Sequence, residues 1–256
     1  MNINFTFYGH GDAVLLLHCF PLSGTMWNSL SADLSAKGFF VIIPDAPGFG
    51  ASGFEKEWSI DAFATECVQL LDAQNIETAH VCGLSLGGYA SLSIYRQFRS
   101  RVRSLILCDT NANAEPTENL PNRFELIDKL NANGASVLAE KMLPNLVSEN
   151  TRRENPLLYE NLKQGFEEVD AQAAIAGLNA IIDRADHSAM LETILVKTLF
   201  IFGANDMVTP IQTARNMADS TPNSELNLIA DVGHLSALEA PQEFNNKVLQ
   251  FLESVD

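Results

Sequence analysis

Positive charge is what this chain has least of: 16 Lys and Arg stand against 32 Asp and Glu, a formal net charge of −16 at pH 7. Nucleic acids and anionic membranes both need a basic face, so neither is an expected partner. Solubility is the plain use of such a surplus. Cysteine is scarce too. Cys19, Cys67, Cys82 and Cys108 fall in apolar strand-like or helix-like contexts without metal-ligand spacing. They read as free buried thiols, and neither a metal nor another cofactor is implied. Long apolar runs are missing as well. The longest early one, residues 13–17, is too short for a signal-peptide core or a membrane span, and residues 1–4 carry no basic n-region. A cytoplasmic protein is the expectation. Repeats, linkers and low-complexity tracts are absent, and 256 residues with 46% hydrophobic content fit one α/β domain carrying an insertion.

What the chain has is an alternation of short apolar runs with amphipathic segments. Residues 3–8 alternate with period two. Residues 13–17 and 39–43 are continuous apolar runs, the pattern of strands covered on both faces, and 79–82 and 102–108 are further short, mostly apolar strand-like stretches. Helical spacing lies between them, most clearly at Ile60, Phe63, Ala64, Cys67, Leu70 and Leu71. This order predicts a mostly parallel sheet with helices on both faces. From 112 to 195 no strand-like run occurs. Helical patterning there is broken at Asn133-Gly134, Pro144-Asn145 and Asn155-Pro156, which predicts four or five helices. Strand patterns resume at 198–202 and 225–229, before an amphipathic helix near 241–252. The expected organisation is a core of residues 1–111 and 196–256, with a helical cap of residues 112–195 inserted between two late strands.

Chemistry concentrates at the ends of the predicted strands. Gly83-Leu84-Ser85-Leu86-Gly87-Gly88 follows an apolar strand and opens a helix. In that context Gly-x-Ser-x-Gly makes a turn so sharp that the serine hydroxyl is left exposed at its apex. Asp206 and His234 follow two later strands, giving the chain order serine, acid, histidine. A serine hydroxyl is a poor nucleophile until a base takes its proton, and that base needs a carboxylate to fix its tautomer. Ser85, His234 and Asp206 are the candidates. Asp109 also ends a strand and is the second choice of acid.

With these motifs, with Asp45-x-Pro47-Gly48-x-Gly50-x-Ser52, and with Gly203-x-x-Asp206-x-x-x-Pro210, the chain resembles the α/β-hydrolases over nearly its whole length. It is most like the capped subgroup. The tail Gly233-His234-Leu235-Ser236-x-Leu238-Glu239-x-Pro241 is similar to that of 3-oxoadipate enol-lactonases and related carboxylesterases. The resemblance implies an oxyanion hole made by the backbone N–H groups of Phe20 and Leu86, and a structural role for His18. The family usually reads His-Gly-x-Pro where this chain has His18-Cys19-Phe20-Pro21. Cys19 is therefore expected at the acyl site. Met142, Leu146, Tyr159 and Phe166 sit at helical spacing in the cap and are candidate pocket residues, with cap packing as their alternative use.

The expected function is a serine hydrolase that cleaves a small carboxylic ester or lactone through an acyl-enzyme. Two other readings stand beside it. One is an esterase for a methyl ester on a carrier-protein-bound acyl chain, which would need a basic cap. Residues 113–190 hold seven Lys or Arg against thirteen Asp or Glu, which counts against it. The other is a ligand-binding member of the fold without catalysis.

Overall fold

A computed structural model describes residues 1–255. The apolar runs become the middle of a seven-stranded sheet: β1 (Phe5–Gly9), β2 (Asp12–Leu17), β3 (Phe39–Pro44), β4 (Ala79–Leu84), β5 (Val102–Cys108), β6 (Thr198–Gly203) and β7 (Ser224–Ile229). Their spatial order is β1-β3-β2-β4-β5-β6-β7. Neighbours pair in parallel except at the edge, where β1 runs antiparallel to β3. The period-two pattern of residues 3–8 fits that edge: Phe5 and Phe7 pack on the core while Tyr8 is exposed. The central strands show the opposite pattern. Leu15, Leu16, Val81, Cys82, Ile106, Leu107, Phe200 and Ile201 are all fully buried, because helices cover the sheet.

Those helices include α1 (Asn28–Ala36), which packs on α12 (Pro241–Glu253), and α2 (Ile60–Ala73), which packs on α3 (Leu86–Gln97). The helix α10 (Ile211–Ser220) lies on β6 and β7, and the single turn α11 (Ser236–Glu239) follows the last strand. From β2 the chain moves outward to β3, then returns to place β4 on the other side of β2. The carboxyl ends of β2 and β4 are therefore a topological switch point, where a crevice opens between diverging loops.

Between β5 and β6 the chain forms α4 (Leu120–Asn133), α5 (Ser136–Lys141), α6 (Leu143–Leu146), α7 (Glu149–Glu154), α8 (Pro156–Glu167) and α9 (Ala171–Ile182). There are six segments among the described residues where four or five were expected. Short-range chemistry divides them. Gly134, at φ +74°, ends α4. Pro144 sits in the first turn of α6 and so starts a helix instead of interrupting one. Ser148 caps α7 by accepting from the Thr151 N–H, Asn155 caps α8 from Leu158, and Asp170 caps α9 from Ala173; such caps contribute about 1 kcal/mol each. Within this layer α4 packs on α9 and α5 on α8. No helix among the described residues is long and apolar enough to cross a membrane.

Candidate active site

Ser85 stands at the abrupt change from β4 to α3, with φ 54° and ψ −111°. A non-glycine residue in that conformation costs on the order of 1–3 kcal/mol, so its surroundings must over-determine it. They do. The Ser85 N–H donates to the Cys108 carbonyl at 3.0 Å, and its own carbonyl accepts from Gly88 N–H and from Thr110 Oγ1 at 2.9 Å. The flanking glycines are needed because backbone passes where a side chain would sit. A Cβ on Gly83 would lie 2.1 Å from the Gly87 carbonyl oxygen, and one on Gly87 would lie 2.0 Å from that of Leu17.

His234 is buried after β7, and its Nδ1 lies 2.8 Å from Asp206 Oδ2. Asp206 follows β6 and folds the next turn onto itself. Its Oδ1 accepts from Val208 N–H at 2.7 Å and Thr209 N–H at 3.0 Å, while Thr209 Oγ1 donates to Oδ2. Burial alone would raise this carboxyl; its pairing with His234 and the donors from His234 and Thr209 outweigh that, holding it below the usual aspartate range. Asp109 makes a different set of contacts. Its Oδ1 accepts from Gly203 N–H at 2.8 Å and its Oδ2 pairs with Ser236 Oγ, with no bond to His234. Burial first, then the neighbouring Asp206 charge, push the Asp109 carboxyl well above its ordinary range. The acid beside the histidine is Asp206.

The loop that presents His234 is tied down by Glu239, a residue that motif reading left without a role. Its Oε1 accepts from the N–H groups of Gly233 at 3.0 Å and Leu235 at 3.2 Å. Its Oε2 accepts from Ser148 N–H at 2.9 Å, and His234 N–H donates to the Leu146 carbonyl at 2.9 Å. One carboxylate thus joins both neighbours of the histidine to the inserted helices.

At the end of β2, His18 is buried and structural. Nδ1–H donates to the Cys19 carbonyl at 2.9 Å and Nε2 accepts from Ala46 N–H at 2.8 Å. Asp45 anchors the adjacent loop through Asn4 Nδ2, Gly24 N–H and Ala51 N–H, and it fills the space a Cβ on Gly50 would need. Phe20 follows β2 and Leu86 follows β4, the two strands that flank the switch point, and neither N–H has an acceptor among the described residues. Cys19 departs from expectation. It is fully buried, its N–H donates to Met26 Sδ at 3.3 Å, and it does not line the cavity. Burial pushes its thiol up to about 12. The chain turns at Cys19 so that Phe20 borders the cavity while Cys19 is buried in the core.

Ser85 and His234 open into a cavity of about 620 Å³ beneath the inserted helices. Met142 and Leu146 line it as expected. Tyr159 and Phe166 do not. Tyr159 borders a separate outer hollow with Ala139 and Lys163, and Phe166 is fully buried in the packing of the inserted helices. Helical spacing told that these residues face inward, not which of three surroundings they meet. The cavity wall also takes Tyr89, Arg123, Leu126, Ile181, Met207 and Val208, none of which the sequence singled out. Tyr89 was the one within reach of local reasoning, since it follows Ser85 by one helical turn.

These features have counterparts in known proteins. A family model described as "alpha/beta hydrolase fold" matches residues 12–241. The chain is similar to 3-oxoadipate enol-lactonase 2 of Acinetobacter baylyi, 26% identical over 249 residues, 96% of this chain and 91% of the relative. It is also similar to 2-hydroxy-6-oxo-6-phenylhexa-2,4-dienoate hydrolase of Burkholderia cepacia, 26% identical over 260 residues, 95% of this chain and 88% of the relative. Among solved structures, a thermophilic esterase from Thermogutta terrifontis, with malate bound, superposes at TM-score 0.95 and 31% identity, covering 99% of this chain and 93% of that one. With the family model matched over most of its length, this chain belongs to the α/β-hydrolase fold family.

Proposed function

We propose that the protein is a serine hydrolase cleaving a small carboxylic ester or lactone through an acyl-enzyme. The observation that carries this reading is a serine held at φ 54° that opens into the same cavity as a histidine whose Nδ1 is 2.8 Å from a buried aspartate. With Nδ1–H bonded to Asp206, His234 Nε2 is left unprotonated and takes the Ser85 proton as Oγ attacks the substrate carbonyl. The carbonyl π electrons move to oxygen, and the N–H groups of Phe20 and Leu86 receive the oxyanion. As the tetrahedral intermediate collapses, the C–O bond to the leaving group breaks and His234 returns the proton to it. Water, deprotonated by the same histidine, then attacks the acyl ester; the acyl C–Oγ bond breaks as this second intermediate collapses, and His234 returns the proton to Ser85 Oγ. Every step uses groups of the chain and one water, so no metal or cofactor is required.

The names of the relatives, an enol-lactonase and an esterase, agree with this reaction class. The inserted helices serve as a cap, and a cavity of about 620 Å³ suits a small substrate better than a long acyl chain. A carrier protein is disfavoured as partner by the acidic balance of residues 113–190. The test is labelling by a fluorophosphonate probe followed by kinetics. Ser85 is the residue expected to be modified, and Ser85→Ala should lower ester hydrolysis by at least roughly a thousandfold. Near-normal turnover in folded Ser85→Ala would refute the mechanism.

A further inference from the structure

The chain carries twice as many acidic as basic residues, yet the cavity wall reverses that balance: Arg123, Lys129 and Lys141 line it against Glu125 alone. The two lysines are paired at the rim. Lys129 meets Glu125 and Lys141 meets Glu140, all four side chains being more than a third exposed, so solvent screens them. Arg123, in the first turn of α4, is different. Its Nε donates to Glu115 Oε1 at 2.9 Å, but that carboxylate is shared with Arg184, whose Nη1 binds Oε2. Glu115 and Arg184 are almost fully buried, at 2% and 3% exposure. Arg184 also donates to the carbonyls of Asn113 at 2.9 Å and Ile181 at 2.8 Å, and its guanidinium lies over the Tyr89 ring at 4.4 Å. Its Nη2 has no acceptor among the described residues, but Arg184 does not line the cavity. Two guanidiniums on one carboxylate leave one positive charge uncompensated, and Nε is the only Arg123 nitrogen with an acceptor among the described residues. The free end of that excess charge belongs to the residue on the cavity wall.

We infer that the cavity takes a substrate bearing a carboxylate, and that Arg123, held by Glu115 and Arg184, binds it while Ser85 attacks the ester. This deepens the hydrolase reading and rests on it. A guanidinium fork matches a carboxylate in shape and charge. Fixing its Nε on a buried acid orients the two terminal NH2 groups before the substrate arrives. The Arg123 side chain is only 25% exposed, so its surplus charge is less screened than at an open surface and an anionic substrate gains more there.

Paired esters that differ only by carboxylate for methyl test the inference. Monoethyl glutarate against ethyl pentanoate places the charge on the acyl side; 4-acetoxybutanoate against butyl acetate places it on the alcohol side. In one pair or the other, the anionic ester should have the higher kcat/KM by roughly tenfold to a hundredfold, the range for a charge-assisted hydrogen bond. Arg123→Met should bring that ratio towards one, and Arg123→Lys should keep part of it. A merely structural Arg123 would lower both members of a pair together and leave the ratio intact. Glutarate titrated into Ser85→Ala protein by calorimetry reads the carboxylate site without turnover. Saturable binding that Arg123→Met abolishes supports the inference even if no ester is cleaved, which would instead count against the hydrolase reading. Ratios at or below one in both wild-type pairs, a ratio unchanged by Arg123→Met, or no glutarate binding overturns it.

Discussion

Asp206→Asn and Asp109→Asn are the same chemical change at two buried carboxyls about which the structure makes opposite forecasts. At 206 the turn dictates how an amide would sit. Oδ1 of Asp206 accepts two backbone N–H bonds, from Val208 and Thr209. An asparagine must therefore keep its oxygen there and turn its NH2 towards His234 Nδ1, where Oδ2 now lies at 2.8 Å. An NH2 donates, so Nδ1 must accept and the proton moves to Nε2. That is the tautomer that cannot take the Ser85 proton, and such a change costs about four orders of magnitude in kcat. At 109 an asparagine fits the existing bonds. Its oxygen accepts from Gly203 N–H and its NH2 donates to Ser236 Oγ, reproducing the neutral carboxyl that burial already favours. The expected loss is under tenfold in kcat and about 1 kcal/mol in stability. Steady-state kinetics on a short-chain ester, with melting curves for both variants, decide the matter. A folded Asp109→Asn enzyme weaker than Asp206→Asn would refute the assignment and the tautomer argument together.

Two further outcomes follow from buried side chains. Cys19→Gly should lower stability by about 1–3 kcal/mol, through a lost core side chain and a freer backbone, and Tm by roughly 3–8 °C. It should leave the hexanoyl-to-acetyl ester rate ratio within about twofold, because the thiol is outside the cavity; a gain for bulky acyl groups would put the thiol back at the acyl site. His80 is buried with Nδ1 at 2.8 Å from Ser104 Oγ, and burial lowers its pKa to about 4 from 6.5. Its folded state therefore resists protonation more than the unfolded chain does. The stability this gives is whole above about pH 6.5 and is lost as pH falls towards 4, on the order of 3 kcal/mol in all. His80→Gln cannot titrate, so its Tm should fall less between pH 7 and pH 4; parallel curves for the two proteins would exclude His80 as a source of acid sensitivity.

The sequence by itself determined what depends on near neighbours. Short, mostly apolar runs identified the central strands, because a strand covered on both faces has no polar side to display. Gly83-x-Ser85-x-Gly87 identified the elbow, because only glycine tolerates backbone 2.1 Å from a Cβ position, as the fold presents at residue 83. The order of serine, acid and histidine was legible for the same reason: each ends a strand of one sheet, and parallel strands bring their carboxyl ends to one edge. The tertiary structure alone decided what depends on direction and on distant partners. Helical spacing put Met142, Tyr159 and Phe166 on inward faces, yet three different environments receive them: the cavity, an outer hollow and the packing between helices. Cys19 and Phe20 are adjacent in sequence, and a single turn sends one into the core and the other into the cavity. Glu239 acquires its place from Ser148, 91 residues away, and the surplus charge at Arg123 exists only because Arg184, in another segment, shares Glu115. Local patterns specify elements and turns because those interactions span a few residues; charge balance and side-chain destination are set by groups that only folding brings together.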